Sequence, residues 1–354
     1  MPEQLRRVVI PRLWALAQRV PGGVAAWERG LRLVGRFPPP APPPPETPSA
    51  EPAAPAAPPA PPAEPPSLVT ACGVVITPSV PLPAQPSQWC KLCDLPAWED
   101  SEFLALLDEL HLGFGRQQPH RKHWEFAQAL RGLRHFGYLT PDALALGVGA
   151  GREFPIYYLA NVVRKVIATD IYGEGDFETS DAMADMLVTP EKYAPFPYRE
   201  CHLVTQYMDG CHLHYPSNCF DVVFSFSSIE HFGGHSAAAQ AMREIGRVLR
   251  PGGMAVIATE AVLNGVPHAE FFLPDELYTY LVEPSGLQLV EPIDLTITPA
   301  LLQAPHDLRA GAEEVSPHIV CQIDGVVFTS VLLFLRKPTT HINTEPSSYV
   351  PRPE

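Results

Sequence analysis

Five short apolar runs, separated by helical stretches, constrain this chain more than any other feature. They are ALALGVG (143–149), KVIATDIY (165–172), HLVTQYMD (202–209), FDVVFSFS (220–227) and GGMAVIATE (252–260). Each has strand length and is rich in Val, Ile, Leu or aromatic residues. Such runs alternating with helices argue for a parallel sheet, since parallel neighbours need crossovers and the crossover helices cover both faces. Two further runs, GLQLVEPIDLTI (286–297) and VVFTSVLLFLRK (326–337), close the sequence. The expected fold is α/β, a doubly wound, mostly parallel seven-stranded sheet.

A helical N-terminal cap is expected at 86–142. Its helices fall at 99–111 and 119–136; in the second, Trp124, Ala127, Leu130 and Leu133 recur at i+3, and Gly137 supplies a stop. Before the cap, residues 38–66 hold 16 prolines in 29 positions. Proline fixes φ and removes backbone donors, so 38–85 reads as an extended, disordered Pro/Ala-rich linker. Residues 1–37 form a basic head, with Val24, Trp27, Leu31 and Val34 on one helical face and a break at Pro21-Gly22-Gly23. Such a head suits an anionic membrane surface or a partner groove; a tail with a few helical turns is the alternative. The sheet domain is expected at 143–338 and a disordered tail at 339–354.

Charge narrows the partners. The head carries a net +5, which leaves −19 in the rest of a chain whose total is −14. An acidic body repels a phosphate backbone, so nucleic acid is an unsuitable substrate and a small molecule or glycan is expected. The seven cysteines do not form a disulfide framework; Cys90 and Cys93 make one CxxC without a second pair, read as two thiols rather than a zinc site. No run reaches the ~20 apolar residues of a membrane span. Arg6-Arg7 hints at an export signal, but Pro11 and Arg12 interrupt the apolar run, so the chain is expected in the cytoplasm.

Gly147, Gly149 and Gly151 end the first strand and precede a helix. Glycine lets the backbone turn sharply and approach a ligand, while a helix N-terminus offers free N–H groups to an anion. Pro155 belongs in that helix's first turn. Nucleotides, flavins and a plain tight turn all satisfy the glycines alone. Asp170, closing the second strand about twenty residues on, can accept hydrogen bonds from both hydroxyls of a ribose. Asp209 closes the third strand, and REIGRVLRPGG (243–253) reads as helix, stop and the entrance to the fifth strand.

With these motifs in order, the stretch from about 143 to 336 resembles a class I S-adenosylmethionine-dependent methyltransferase with a Rossmann-like sheet. It is most similar to the small-molecule type, and SSIEHFGG (227–234) resembles bacterial enzymes of glycan clusters. The resemblance implies S-adenosylmethionine as cofactor and methyl transfer to an oxygen or nitrogen of a small-molecule or sugar acceptor. It implies that Gly147, Gly149 and Gly151 pass under the cofactor's methionine part and that Asp170 holds the ribose. Asp209 would meet the adenine amino group, with Met208 and Gly210 against the ring; Ser225 and Phe226 would face the sulfonium. An acid is implied two residues before Gly147, where this chain has Ala145; Glu153, after the loop, is then expected at the cofactor's ammonium.

Related families hold a metal through ExxEH, but Ser227 stands in the first position, so no metal is expected. CHLHYP (211–216), with Cys211, His212 and His214, reads as a solvated loop. His231 is the expected catalytic base, since an imidazole accepts a proton near neutral pH. Glu230 orients it or acts alone, although neighbours on a helix diverge; His268, Glu260 and Glu270 are the other candidates. An aminopropyltransferase-like enzyme is disfavoured by serines where a polyamine wants paired aspartates. A non-catalytic module of the same fold, tethered by the head, is the reading outside enzymes.

Overall fold

The computed structural model describes residues 87–309 and 317–339; the expected head, linker and nearly all of the tail lie outside these residues. The described part opens with a short strand, β1 (Lys91–Leu92), followed by helices α1 (Ser101–Glu109) and α2 (Arg121–His135). Asp100 caps α1 by accepting the N–H groups of Glu102 and Phe103. In α2 the apolar stripe Trp124, Ala127, Leu130 and Leu133 is fully buried, and Gly137, at φ 78°, ends the helix as expected.

Then come β2 (Leu144–Val148), α3 (Phe154–Val162), β3 (Lys165–Asp170), β4 (Leu203–Tyr207), β5 (Phe220–Phe226), α4 (His235–Val248) and β6 (Leu249–Val262). All seven residues of β5 are buried, which is why its run is continuously apolar rather than alternating. Strands β2 to β6 pair in parallel in the order β4-β3-β2-β5-β6. The Pro251-Gly252-Gly253 stretch, expected as the stop before the fifth strand, instead lies within β6. Helix α4 ends at Val248 and the strand starts at once, with a register shift between Phe220 and Val222.

The remaining strands are β7 (Gln288–Leu289), β8 (His306–Asp307), β9 (Cys321–Ile323) and β10 (Val326–Arg336). Strand β10 runs antiparallel to β6 from Phe328 to Arg336. Its other edge is closed in pieces: β9 at Val326–Phe328, β1 at Val331–Leu332 and β7 at Leu335–Arg336. Among the described residues the sheet thus has ten strands, the expected mostly parallel core with short added edge strands. The 286–297 run yields only two strand residues because β1 takes the next place along β10, and the chain moves outward to pair Asp294 with Cys90 and Leu92. Cys90 and Cys93 flank β1, both buried; burial pushes the Cys90 thiol up to about 12 and raises Cys93. Both thiols thus stay protonated in the seam beside β10. Among the described residues no helix is long and apolar enough to cross a membrane.

Close approach fixes α4 against the short helix Glu283–Ser285 that precedes β7. A Cβ on Gly246 would lie 1.9 Å from the Ser285 carbonyl oxygen. Gly246→Ala should therefore destabilise the protein by about 1–3 kcal/mol or more, through overpacking against a backbone that has no free rotamer. Thermal denaturation checks this: a loss of several degrees in Tm is expected, and a variant melting within about one degree of the parent contradicts this packing.

Candidate active site

The carboxyl ends of β2 and β5 lie side by side where the strand order reverses, the place at which open α/β sheets bind ligands. The three loop glycines there divide their work. Gly149 (φ 62°) and Gly151 (φ 46°) adopt the left-handed conformation of the turn. Gly147 serves packing instead: a Cβ there would lie 2.8 Å from the Phe224 ring. Pro155 falls in the first turn of α3.

Asp170 accepts the Gly151 N–H and the Ile171 N–H, both at 2.8 Å, and burial raises its pKa against those two donors. The loop is further tied down by Tyr172, whose hydroxyl donates to the Gly151 carbonyl at 2.7 Å. At the end of β4, Met208 is half-buried and Asp209 is exposed, accepting from Cys211 N (2.8 Å) and pairing with His212 Nδ1 (2.9 Å). Gly210 is buried under Phe232, whose ring also packs on Gly149. The expected cofactor residues of three strands are thereby brought to one edge.

Ser225 and Phe226 sit there differently from the expectation. Both side chains are buried, and the Phe226 ring packs on Phe126 and Phe224 in the core. What Phe226 offers the site is its carbonyl. Lys122 Nζ donates to it at 2.6 Å and reaches Glu153 Oε1 at 2.8 Å and Glu125 Oε2 at 3.1 Å.

Helix α2 contributes more than its apolar stripe. Arg121 Nη1 lies 2.5 Å from Glu260 Oε1 and 3.3 Å from Glu125 Oε1, and donates to Ser330 Oγ at 3.1 Å. Glu125, fully buried, also accepts from Ser330 Oγ (2.5 Å) and Ser227 Oγ (2.9 Å). Spacings of three and four residues stack both cations over the same carboxylate. Charges taken out of water persist only when paired and hydrogen-bonded in this way. Burial opposes the Arg121 charge, but the Glu260 and Glu125 carboxylates outweigh it and raise its pKa.

The base candidates follow β5 in a tight turn, Ile229–His231. Glu230 is fully buried and accepts from Thr259 Oγ1 at 2.7 Å; burial, then the charge of Glu260, hold its pKa well above the usual carboxylate range. Burial pushes Glu260 up as well, yet the Arg121 guanidinium brings it down to about 2. The two carboxyls are thus driven apart, Glu230 toward its protonated form by burial and Glu260 toward its charged form by Arg121. His231 faces the other way, with Nδ1 3.1 Å from Glu270 Oε2 and Nε2 3.9 Å from Glu230 Oε1. Phe177, from the segment after β3, packs its ring 5.0 Å from that of His231. His268 is not part of this group. Its Nδ1 accepts the N–H groups of Glu270 and Phe271 and its ring stacks on Phe271, so it builds the turn that presents Glu270.

Arg121, Lys122, Glu125, Tyr172, Phe177 and Phe232 were not anticipated as site residues. The Arg-Lys-x-x-Glu spacing was the available signal, hidden because α2 reads first as a packing helix. In CHLHYP, His212 pairs with Asp209 and His214 is exposed, while Cys211 is buried. Among the described residues no group of three or more His, Cys, Asp or Glu side chains is arranged to hold a metal ion. The residues do fit a cofactor bearing an ammonium: Glu153 Oε2 is buried, has no hydrogen-bond partner, and lies two residues past the glycine turn.

Residues 144–257 match the family model described as a methyltransferase domain. No curated protein matches the chain. Solved structures similar to it include a protein provisionally named a sarcosine dimethylglycine methyltransferase, from Galdieria sulphuraria, at 15% identity, TM-score 0.42, covering 60% of this chain and 85% of that one. A S-adenosylmethionine-dependent methyltransferase from Aquifex aeolicus is also 15% identical, TM-score 0.33, over 58% of this chain and 89% of that one. A geranyl diphosphate methyltransferase, solved with geranyl diphosphate and sinefungin, gives 15% identity and TM-score 0.39 over 60% and 78%. On the match to the family model, residues 144–257 are a methyltransferase domain, and S-adenosylmethionine is the cofactor it takes.

Proposed function

We propose that the acceptor is a small polar molecule or a sugar, methylated on a hydroxyl or amine that His231 deprotonates. The observation carrying this reading is the 3.1 Å contact between His231 Nδ1 and Glu270 Oε2. An ionised carboxylate there takes the Nδ1–H, which leaves the lone pair on Nε2, the nitrogen that must accept a proton. Phe177, 41% exposed next to His231, offers an aromatic face to the apolar side of a sugar or ring-shaped acceptor.

When bound, the cofactor supplies an activated methyl group on a sulfonium. The chain's part is to hold and orient, which at its upper limit lowers such a barrier by ~7–11 kcal/mol. Asp170, at the end of β3, is the residue for the ribose hydroxyls, and Asp209 for the adenine amino group. Gly149 and Gly151 keep side chains out of the way of the amino-acid part, and Glu153 meets its ammonium.

Two outcomes test this reading. Replacing His231 with Ala or Gln should cut turnover with the true acceptor by ~10²-fold or more while cofactor affinity is kept, and Glu270→Gln should lower it less. Full turnover in both His231 variants would contradict the base assignment. Asp170→Ala should weaken cofactor binding by ~1.5–3 kcal/mol, measured by calorimetry. An unchanged affinity in a folded variant would remove Asp170 from the site.

A further inference from the structure

Glu153 stands at the position that caps α3, yet its side chain makes no capping hydrogen bond. It turns inward, 12% exposed, and binds Lys122 through Oε1, while the buried Oε2 has no partner. Lys122 is itself fixed from two other sides, by the Phe226 carbonyl and by Glu125. One oxygen of Glu153 is therefore held and the other left free, just past the turn at Gly149 and Gly151. A buried acceptor without a donor is costly, and a cation reaching it recovers that cost.

We propose that Lys122 is a positioning residue: by fixing the Glu153 carboxylate through Oε1, it aims Oε2 at the ammonium of the cofactor's amino-acid part. The lysine comes from the N-terminal cap rather than from the sheet domain, and through Glu153 it does the work of the acid missing at Ala145. This inference rests on the glycine turn being the cofactor's seat.

The arrangement has a pH signature. Burial pushes Glu153 up to about 8, with Lys122 opposing and Glu125 and Asp181 adding to the rise. Arg152 in its own loop and Tyr172 after β3 are the other titratable groups nearby. In the free protein the carboxyl is mostly protonated at neutral pH. A docking ammonium takes the ionised form, so binding releases a proton and strengthens as pH rises toward 8. Without the lysine's charge, ionisation moves to higher pH.

Calorimetric titration with S-adenosylhomocysteine between pH 6 and 9, beside 5′-methylthioadenosine as a probe without the amino-acid part, tests this. For Lys122→Met, affinity for S-adenosylhomocysteine at pH 7 should fall by about tenfold and its rise with pH should shift upward, with methylthioadenosine unaffected. Lys122→Arg, which keeps the cation, should restore most of the affinity. Glu153→Gln should abolish both the pH-dependent rise and the proton release, seen as loss of the dependence of binding enthalpy on buffer. Equal losses for both ligands, or a pH curve unmoved in Lys122→Met and Glu153→Gln, would overturn the inference and leave the cofactor site standing. Failure of the parent chain to bind either ligand would overturn both.

Discussion

Glu125 is the residue on which the arrangement of this site depends. A carboxylate with no exposed surface is tolerated only because Arg121, Lys122, Ser227 and Ser330 surround it. Those partners come from α2, from the end of β5 and from the middle of β10. The network therefore clamps the N-terminal segment to the carboxyl edge of the sheet by charge, where apolar packing would leave more than one register. Breaking such a buried set by removing one member leaves a stranded charge, which costs about 3–5 kcal/mol. Specific geometry at the strand ends follows from that penalty.

The same network sorts the protons. Glu260 is held ionised by Arg121, and its charge keeps the proton on Glu230. The two neighbours Glu230 and His231 sit in a single 3-10 turn, Ile229–His231, where adjacent side chains diverge. One side chain points into the core and the other toward Glu270 and Phe177. The edge around the glycine turn and the edge around Glu230 thus share a wall made of α2 side chains.

Much of this was legible in the sequence. The five parallel strands lie where apolar runs placed them, most plainly at β5, where burial on both faces leaves no polar alternation to misread. Gly149, Gly151 and Asp170 were legible because a turn at a strand end demands those residue types. The rest depended on distance in sequence. That Gly147 makes room for Phe224, or Gly210 for Phe232, follows from contacts between separate strands that no local pattern encodes. The fate of 286–297 turned on β1, some 200 residues earlier, claiming part of the β10 edge. Arg121, Lys122 and Glu125 were hidden for another reason: a charged residue beside a buried stripe reads as solvated until the structure brings opposite charges to it.

The central claim is that the strand ends around the glycine turn bind the cofactor, with Asp170 and Glu153 at opposite ends of it. A crystal structure of the chain with S-adenosylhomocysteine tests this most directly. The ribose hydroxyls should lie within hydrogen-bond reach of Asp170, and the amino group within reach of Glu153 Oε2, with Lys122 still on Oε1. Density for the ligand elsewhere, or an amino group turned away from Glu153 while the ribose sits at Asp170, would contradict it.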